Sequence, residues 1–375
     1  MAGVPHRLPF PPSVVPMTSL PDRTRPRLTQ PVRRASGSAL RLAGAAVWRA
    51  LHPTLRERFL EAPRPAPLPR LHVESCDGWS VPLFRVPTVP GASAEPVLLL
   101  HTAACAAEAL RYGRRSLAGA LAEAGFAVFL AAQRGDREAV GPQGAAPRLR
   151  DVVGEDLPAM LAAIRAHSGA AQVHVVGFGL GGLLAMDLGS RCPDEVASVT
   201  ALAPPLRWPA WRSEARRLHL AARLAPPSWA LPLRTMGRMG APLVGTVGTV
   251  EGARLRGALA YASEDLPAGM LAELARWFAV GRVELVPGQE LEAACRAARA
   301  PLHVVRGRED AVCAEASLSA AREGWGGAVH LTEVDGYGHV DLVLGAQAAE
   351  DVFAPCLAWL EPLRHACWGA VEDVA

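Results

Sequence analysis

The chain has 375 residues, half of them hydrophobic, which is enough to bury a substantial core in one large domain. Its formal net charge of +3 is too small to indicate a nucleic-acid partner. Seven cysteines are dispersed without paired or metal-ligand spacing, so the sequence predicts free thiols in a reducing, cytoplasmic compartment. No metal ion, no cofactor and no membrane-spanning segment is predicted.

The N-terminal 65 residues differ in composition from the rest of the chain. Residues 1–38 are rich in proline and arginine and predict disorder. Residues 39–59 carry apolar side chains at helical spacing with arginines between them, which predicts an amphipathic helix. Such a helix either docks on the protein core or lies on a membrane surface, and docking is the commoner arrangement. We therefore predict a basic tail with a helix over residues 1–65.

The first elements of the core are predicted from alternation and from turn residues. Residues 71–86 alternate around Asp77-Gly78, which predicts a hairpin of two antiparallel strands. Residues 97–100 predict a buried strand that runs into His101-Thr102-Ala103. A helix is predicted over residues 116–124, and a second buried strand follows it.

Residues 173–184 have the layout of a catalytic turn but lack the catalytic atom. A helix that starts at Asp156, with Pro158 in its first turn, is predicted to precede this stretch. An apolar strand then enters a glycine-rich turn and continues as an apolar helix, as in the G-x-S-x-G nucleophile elbow. Gly179 stands at the nucleophile position, and a glycine has no side chain with which to attack a substrate.

The same turn has a second interpretation. Gly177, Gly179 and Gly182 also spell G-x-G-x-x-G, a motif in which a helix N-terminus holds the pyrophosphate of a dinucleotide. That motif requires an acidic residue at the end of the next strand, about 20 residues on. The next predicted strand, residues 197–203, runs into two prolines with no carboxylate at its end. Nucleotide binding is therefore the weaker of the two interpretations.

Residues 204–298 separate the two halves of the predicted core. Helices are predicted around residues 212–224 and 267–280. The region contains clustered aromatic side chains, among them Trp208, Trp211 and Trp277, which would suit an apolar acyl ligand. For any one of these side chains, however, packing of the region onto the core explains an aromatic residue at that position.

Two late strands are predicted, each followed by a loop that carries a titratable group. Residues 301–308 lead to Glu309-Asp310, and residues 329–334 lead to a glycine-rich loop with His339. The spacing predicts that Asp310 pairs with His339, as the acid and histidine of a catalytic triad do. Glu309 is an alternative acid, and Asp341 is predicted to cap the helix that follows.

Over residues 70–363 these motifs resemble the α/β-hydrolase superfamily, in the chain order nucleophile, acid, histidine. The loop Gly336-Tyr337-Gly338-His339-Val340-Asp341 looks like that of bacterial lipases and esterases, including hydrolase modules linked to cholesterol oxidases and to polyhydroxyalkanoate synthases. The resemblance implies an α/β-hydrolase fold, with a mostly parallel sheet flanked by helices and a helical cap insertion. It divides the chain into a first core half over 66–203, a cap over 204–298 and a second core half over 299–375.

Carried over by position, the resemblance assigns a role to each part of the predicted site. It implies Gly179 at the nucleophile position, Asp310 as the acid and His339 as the base. The oxyanion hole would be formed by the backbone amides of Leu180 and of Thr102 or Ala103. Polyhydroxyalkanoate synthases use a cysteine nucleophile, and no cysteine lies at or beside this turn.

Three explanations of Gly179 stay open on the sequence. A pseudoenzyme would keep the pocket for binding alone, as the neuroligins do within the superfamily. A non-covalent catalyst would use His339, Asp310 and the oxyanion hole on a small apolar ester or acyl-type ligand. An ordinary carboxylic-ester hydrolase would require that Gly179 is a substitution for serine.

Overall fold

The computed structural model describes residues 66–88, 95–113, 115–207, 212–226, 229–231, 250, 258, 262–364 and 367. The predicted tail and the amphipathic helix over residues 39–59 lie outside the described residues, as do Trp208 and Trp211. Within the described part of the chain, no helix is both long enough and apolar enough to cross a membrane.

One sheet organises the described residues. Its eight strands run in the order β1-β2-β4-β3-β5-β6-β9-β10, and a separate two-stranded ribbon pairs β7 with β8. The strands are β1 Arg70–Glu74, β2 Ser80–Arg85, β3 Pro96–Leu100, β4 Ala127–Ala131, β5 Val173–Phe178, β6 Val196–Leu202, β7 Ala230–Leu231, β8 Leu266–Pro267, β9 Leu302–Gly307 and β10 Val329–Val334. Strand β2 is antiparallel to both β1 and β4, and the other neighbours in the sheet are parallel.

Strand composition follows position in the sheet. The inner strands β3 and β4 read Pro-Val-Leu-Leu-Leu and Ala-Val-Phe-Leu-Ala, and every residue in them is buried. A parallel strand covered on both faces needs such an uninterrupted apolar run. The edge strand β10 is only partly buried. The predicted β1–β2 hairpin is confirmed, and Gly78 in its turn has the positive φ of 83° that glycine tolerates.

The helices lie between the strands in sequence and pack against the sheet, which confirms the predicted α/β class. The α-helices are α1 Leu117–Glu123, α2 Leu149–Asp151, α3 Leu157–Ser168, α4 Leu180–Arg191, α5 Arg212–Leu224, α6 Ala268–Val280, α7 Leu291–Ala294, α8 Glu315–Gly324, α9 Asp341–Leu344 and α10 Ala354–Leu360. Short 3-10 helices span Ala107–Arg111, Cys295–Ala297 and Glu361–Leu363.

The helix before strand β5 begins earlier than predicted. Helical backbone starts at Leu149 and passes through a π-helical turn, Val152–Asp156, before α3. Pro158 explains the wider turn, because proline has no N–H to donate and its ring clashes with the carbonyl four residues earlier. The same arrangement recurs at Ala349–Phe353, where Pro355 follows two residues later. The α-helix itself begins at Leu157 with Pro158 in its first turn, as predicted, but it continues helical backbone that starts at Leu149.

Asp156 anchors a buried ion-pair network around Arg134. The guanidinium of Arg134 is 1% exposed and donates to Asp156 at 2.7 and 2.5 Å and to Asp77 at 2.6 and 3.1 Å. It also lies 5.2 Å from the ring centroid of Trp79. The hydrogen bond from Arg134 lowers the pKa of Asp77 against the opposing effect of partial burial. The network ties the β1–β2 turn to the loop after β4 and to α3.

The two helices predicted within residues 204–298 are present as α5 and α6, and they pack against each other. His219 on α5 forms a 2.8 Å hydrogen bond with the carbonyl oxygen of Ala272 on α6. Trp277 is 1% exposed, and its indole N–H donates to the carbonyl of Glu284 at 3.0 Å. The ring of Trp277 therefore packs inside this region.

Candidate active site

The turn after β5 has the geometry of a tight strand-to-helix elbow. Strand β5 ends at Phe178, helix α4 begins at Leu180, and Gly179 between them has φ 57° and ψ −115°. Residues with a Cβ rarely adopt a positive φ, so this backbone is strained for any residue except glycine. The N–H of Gly179 donates to the carbonyl of Leu202 on the neighbouring strand β6 at 2.8 Å. The elbow is thus fixed to the sheet.

The other glycines of the turn allow close packing of protein backbone. A Cβ on Gly177 would lie 2.0 Å from the carbonyl oxygen of Gly181, and a Cβ on Gly181 would lie 2.2 Å from that of Leu100. At Gly182 the nearest atom would be the Cβ of Pro204, at 3.2 Å. Protein atoms therefore fill the space beside these glycines, where the nucleotide interpretation needs room for a pyrophosphate. Helix packing accounts for the motif.

His339 and Asp310 meet beside the elbow. Nδ1 of His339 lies 2.8 Å from Oδ2 of Asp310, and both side chains are buried. The other carboxylate oxygen of Asp310 accepts from the backbone N–H groups of Val312 and Cys313, at 2.7 and 2.9 Å. The ring of Phe178 packs against the imidazole with a centroid separation of 4.9 Å. The carboxylate is therefore fixed, and it holds the histidine ring in one orientation.

Two carboxylates that are close in sequence to Asp310 and His339 have surroundings different from that of Asp310. Glu309, the alternative acid, is exposed, whereas Asp310 makes the contact with His339. Asp341 was predicted to cap a helix, but α9 has Val340 at its N-cap position and Asp341 as its first residue. The buried carboxylate of Asp341 instead accepts from the backbone N–H of Gly338 at 2.7 Å. This bond fixes the loop that carries His339.

Thr102 fills the space opposite Gly179. A Cβ placed on Gly179 would lie 2.3 Å from Oγ1 and 2.9 Å from Cβ of Thr102, and 3.1 Å from Nε2 of His339. The backbone N–H of Leu180, a predicted oxyanion donor, donates to Oγ1 of Thr102 at 3.2 Å. The Thr102 side chain therefore occupies the place of a nucleophile side chain on the elbow.

Strand register explains why Thr102 and Gly179 meet. Strands β3 and β5 are parallel neighbours, and Leu100 on β3 pairs with Gly177 on β5. Thr102 and Gly179 each come two residues after this pair, just beyond the ends of β3 and β5, and so they lie at the same carboxyl edge of the sheet. Sequence reasoning considered only the backbone amide of Thr102, since nothing in the sequence states which strands are neighbours.

A second histidine–carboxylate pair holds the loop that carries Thr102, and the sequence did not predict this pair either. Nε2 of buried His101 lies 3.0 Å from Oδ2 of Asp136, and Nδ1 lies 2.9 Å from the carbonyl oxygen of Thr102. Both partners are acceptors, so both ring nitrogens must carry protons, and His101 is an imidazolium. Burial lowers the pKa of His101, but Asp136 and the Thr102 carbonyl raise it by more, leaving it above its ordinary value of 6.5.

This pair predicts a pH dependence of stability. Because the folded state holds the His101 proton more tightly than the unfolded state, the stabilisation is complete below pH 6.5 and is lost as the pH rises through the raised pKa. Urea unfolding of the wild type and of His101→Gln, from about pH 5 to pH 9, should show the largest difference at the acid end. His167→Gln, at an exposed histidine, is the control. A difference independent of pH would contradict the imidazolium assignment.

A cleft of about 290 Å³ adjoins these groups. Its walls include Ala103 and Leu180, the chain neighbours of Thr102 and Gly179. Apolar and polar side chains line it in similar number, and three of the polar ones are the carboxylates Asp136, Glu264 and Asp265. The lining is thus more polar than the clustered tryptophans of the sequence suggested.

The cysteines near the site are held as thiols. Burial, then Asp136 and Glu264, raises the pKa of Cys105 to about 12. Burial also raises the pKa of Cys313, whose Sγ donates to the carbonyl of Pro204 at 3.1 Å. Neither supplies a thiolate near neutral pH. Across the described residues, no group of three or more His, Cys, Asp or Glu side chains is arranged to hold a metal ion.

Comparisons with known proteins agree with the fold. A family model described as serine aminopeptidase, S33, matches residues 95–240. No curated protein matches the chain. Similar solved structures include an esterase from Thermogutta terrifontis, at 15% identity over 80% of this chain and 99% of that chain, with a TM-score of 0.53. A monoacylglycerol lipase from Paleococcus ferrophilus has 17% identity over 75% and 99%, with a TM-score of 0.52.

Epoxide hydrolase A from Mycobacterium thermoresistibile is also similar, at 20% identity over 79% of this chain and 98% of that chain, with a TM-score of 0.53. At such identities a likeness shows the fold and not the reaction. The predicted α/β-hydrolase fold, with its mostly parallel sheet and flanking helices, is confirmed. The family match, over part of the chain, and these structures together show that the chain has the fold of the α/β-hydrolases.

Proposed function

We propose that the chain hydrolyses small carboxylic esters, with His339 as the general base and Asp310 as the residue that orients it. The observation that carries this proposal is the buried 2.8 Å contact between Nδ1 of His339 and Asp310, with Nε2 on the side of Gly179. A carboxylate on Nδ1 requires the proton there, so Nε2 is the nitrogen that carries the lone pair when the ring is neutral. A histidine in this state accepts a proton from a hydroxyl or from water.

The substrate carbonyl would bind at the N-terminus of helix α4. The backbone N–H groups at a helix N-terminus and its dipole stabilise negative charge on an oxygen. Leu180 is the first residue of that helix, and its N–H is directed at Oγ1 of Thr102. Ala103 and Leu180 both lie in the wall of the cleft. An ester carbonyl that enters from the cleft would meet these amides.

Cleft size and lining support a short acyl chain. The cleft holds about 290 Å³ of space free of protein atoms, open solvent included, and it is bounded by side chains of moderate size. A long apolar chain in this cleft would lie against Asp136, Glu264 and Asp265, whose carboxylates offer it no apolar contact surface. We therefore expect acetate and butyrate esters to react faster than long-chain esters.

The test is hydrolysis of p-nitrophenyl acetate by the wild type, His339→Ala and Asp310→Asn. His339→Ala is expected to lower kcat/KM by about 100-fold, the usual contribution of a general base. Asp310→Asn is expected to lower kcat/KM as well, because an amide does not stabilise the imidazolium that forms. His167→Ala, at the exposed histidine, is the matched control. Hydrolysis that is equal in the wild type and His339→Ala would overturn the proposal.

A binding protein without turnover is the second candidate, and one observation favours it. The Leu180 amide already donates to the Thr102 hydroxyl, so a carbonyl oxygen must displace that hydroxyl to use the amide. A pseudoenzyme would bind a non-hydrolysable ester analogue, with no turnover that depends on His339. Isothermal titration with such an analogue, beside the kinetic assay, separates the two candidates.

A further inference from the structure

We propose that the hydroxyl of Thr102 is the nucleophile of this site, so that ester cleavage passes through an acyl-threonine intermediate. The inference rests on the proposed function, since it needs His339 as a base. Two residues differ from the family patterns in opposite ways, since one position has gained a hydroxyl group and the other has lost one. A hydroxyl residue, Thr102, follows His101 where the His-Gly-type loop has glycine, and Gly179 stands where the elbow has serine.

The exchange places the hydroxyl in the volume that the elbow side chain would fill. Oγ1 of Thr102 lies 2.3 Å from the Cβ position of residue 179, and Nε2 of His339 lies 3.1 Å from that same position. The hydroxyl and the base therefore both lie next to this one position. In other hydrolases of this mechanism the nucleophile and base lie within hydrogen-bond reach, often less closely without substrate.

The present partner of the hydroxyl fits a resting state. Oγ1 of Thr102 accepts from the Leu180 N–H at 3.2 Å, and no hydrogen bond joins it to His339 among the described residues. Rotation of the Thr102 side chain towards Nε2 would give its proton a base. The same rotation would release the Leu180 amide, which could then bind the substrate carbonyl oxygen. One movement thus prepares both the nucleophile and the oxyanion hole.

The backbone around Thr102 is held in place from both sides. Its carbonyl accepts from Nδ1 of His101 at 2.9 Å and from the N–H of Cys105 at 3.3 Å. Beyond it, the carbonyl of Ala104 accepts from the N–H of Glu264 at 2.8 Å. Residue Thr102 is partly exposed, so a substrate can approach it. A fixed backbone with an accessible hydroxyl is what a nucleophile requires.

The chemistry balances within the site. Oγ1 of Thr102 attacks the ester carbonyl carbon as its proton passes to Nε2 of His339, and the new C–O bond gives a tetrahedral oxyanion on the Leu180 amide. The C–O bond to the alcohol then breaks, and the imidazolium protonates the leaving alkoxide. Water attacks the acyl-threonine with His339 as base. Its proton returns from His339 to Oγ1 as the carboxylic acid leaves.

Two measurements on the full chain test the inference. The first is incubation with ethyl fluorophosphonate followed by peptide mass spectrometry, in which Oγ1 displaces fluoride. We expect phosphonylation at residue 102 in the wild type and in Thr102→Ser, and none in Thr102→Val or in His339→Ala. The second is p-nitrophenyl acetate hydrolysis by Thr102→Val, an isosteric change without the hydroxyl. Thr88→Val, the same change beyond the end of β2, is the control.

Thr102→Val is expected to lower kcat/KM about 100-fold, as is His339→Ala, and the double variant is expected to be no slower than either single variant. Residues that act as one catalytic unit show this non-additivity. If turnover depends on His339 but Thr102→Val hydrolyses normally and residue 102 is never labelled, water is the nucleophile and the inference is overturned while the proposed function stands. If turnover is independent of His339, the proposed function itself fails. Circular dichroism of each variant confirms that it is folded.

Discussion

Gly179→Ser by itself is expected to give no serine-dependent ester hydrolysis, whereas Gly179→Ser combined with Thr102→Gly is expected to give it. The reason is steric, because a Cβ at residue 179 would lie 2.3 Å from Oγ1 and 2.9 Å from Cβ of Thr102, closer than non-bonded atoms approach. Removing the Thr102 side chain frees that space and also frees the Leu180 amide for the oxyanion. The double variant then holds serine, His339 and Asp310 together.

The measurement is kcat/KM for p-nitrophenyl acetate in the two single variants, the double variant and the double variant with His339→Ala. We expect the double variant to exceed Thr102→Gly, which has neither the threonine nor a serine, by about 1000-fold, since a triad without its nucleophile loses most of its rate. The added His339→Ala should abolish that gain. If Gly179→Ser alone matched the double variant, Thr102 would not occupy the elbow volume.

Arg134→Met is expected to destabilise the protein by about 3–5 kcal/mol, because it leaves the buried carboxylate of Asp156 without its counter-ion. Arg134 is 1% exposed and bonds Asp77 and Asp156, and Asp156 is equally buried. Burial already raises the pKa of Asp156, and the hydrogen bond and charge of Arg134 oppose that rise. Without Arg134, Asp156 would have to take up a proton or remain as an uncompensated buried charge.

Urea unfolding at neutral pH measures this loss, and Arg70→Met is the matched control. Arg70 pairs with Glu138 at 3.0 Å but is 52% exposed, and such surface pairs contribute about 0–1 kcal/mol. A loss below about 1 kcal/mol in Arg134→Met would show that the network is dispensable. Arg134→Met combined with Asp77→Asn and Asp156→Leu should recover part of the loss, since the stranded charges are gone.

The sequence predicted the main framework because each part of it is a local pattern. Each element is encoded by a run of contiguous residues, as are the apolar strands, the turn at Asp77-Gly78 and the strand–turn–helix around Gly179. The contact between Asp310 and His339 was predicted from the chain order that the resemblance supplied, and the structure brings these two side chains together. The roles of these residues stay predictions until the variants are assayed.

The contacts that sequence reasoning missed depend on strand register. His101 reaches Asp136, and Thr102 reaches Gly179, only because β3 lies between β4 and β5 in a particular alignment. The early start of the helix before β5 was missed for a different reason, since the effect of Pro158 is usually to end or begin a helix and here it widens one turn. The burial of Trp277 likewise depends on how α5 and α6 pack.

The parallel pairing of β3 with β5 has a broader consequence for how such chains are assigned. Two adjacent strand ends bring two residue positions to nearly one point in space, so a single reactive atom can be supplied from either strand. A search that inspects only the turn after β5 would classify such a protein as inactive. Examining residue pairs at neighbouring strand ends, here 102 with 179, would recognise a relocated group as well as a lost one.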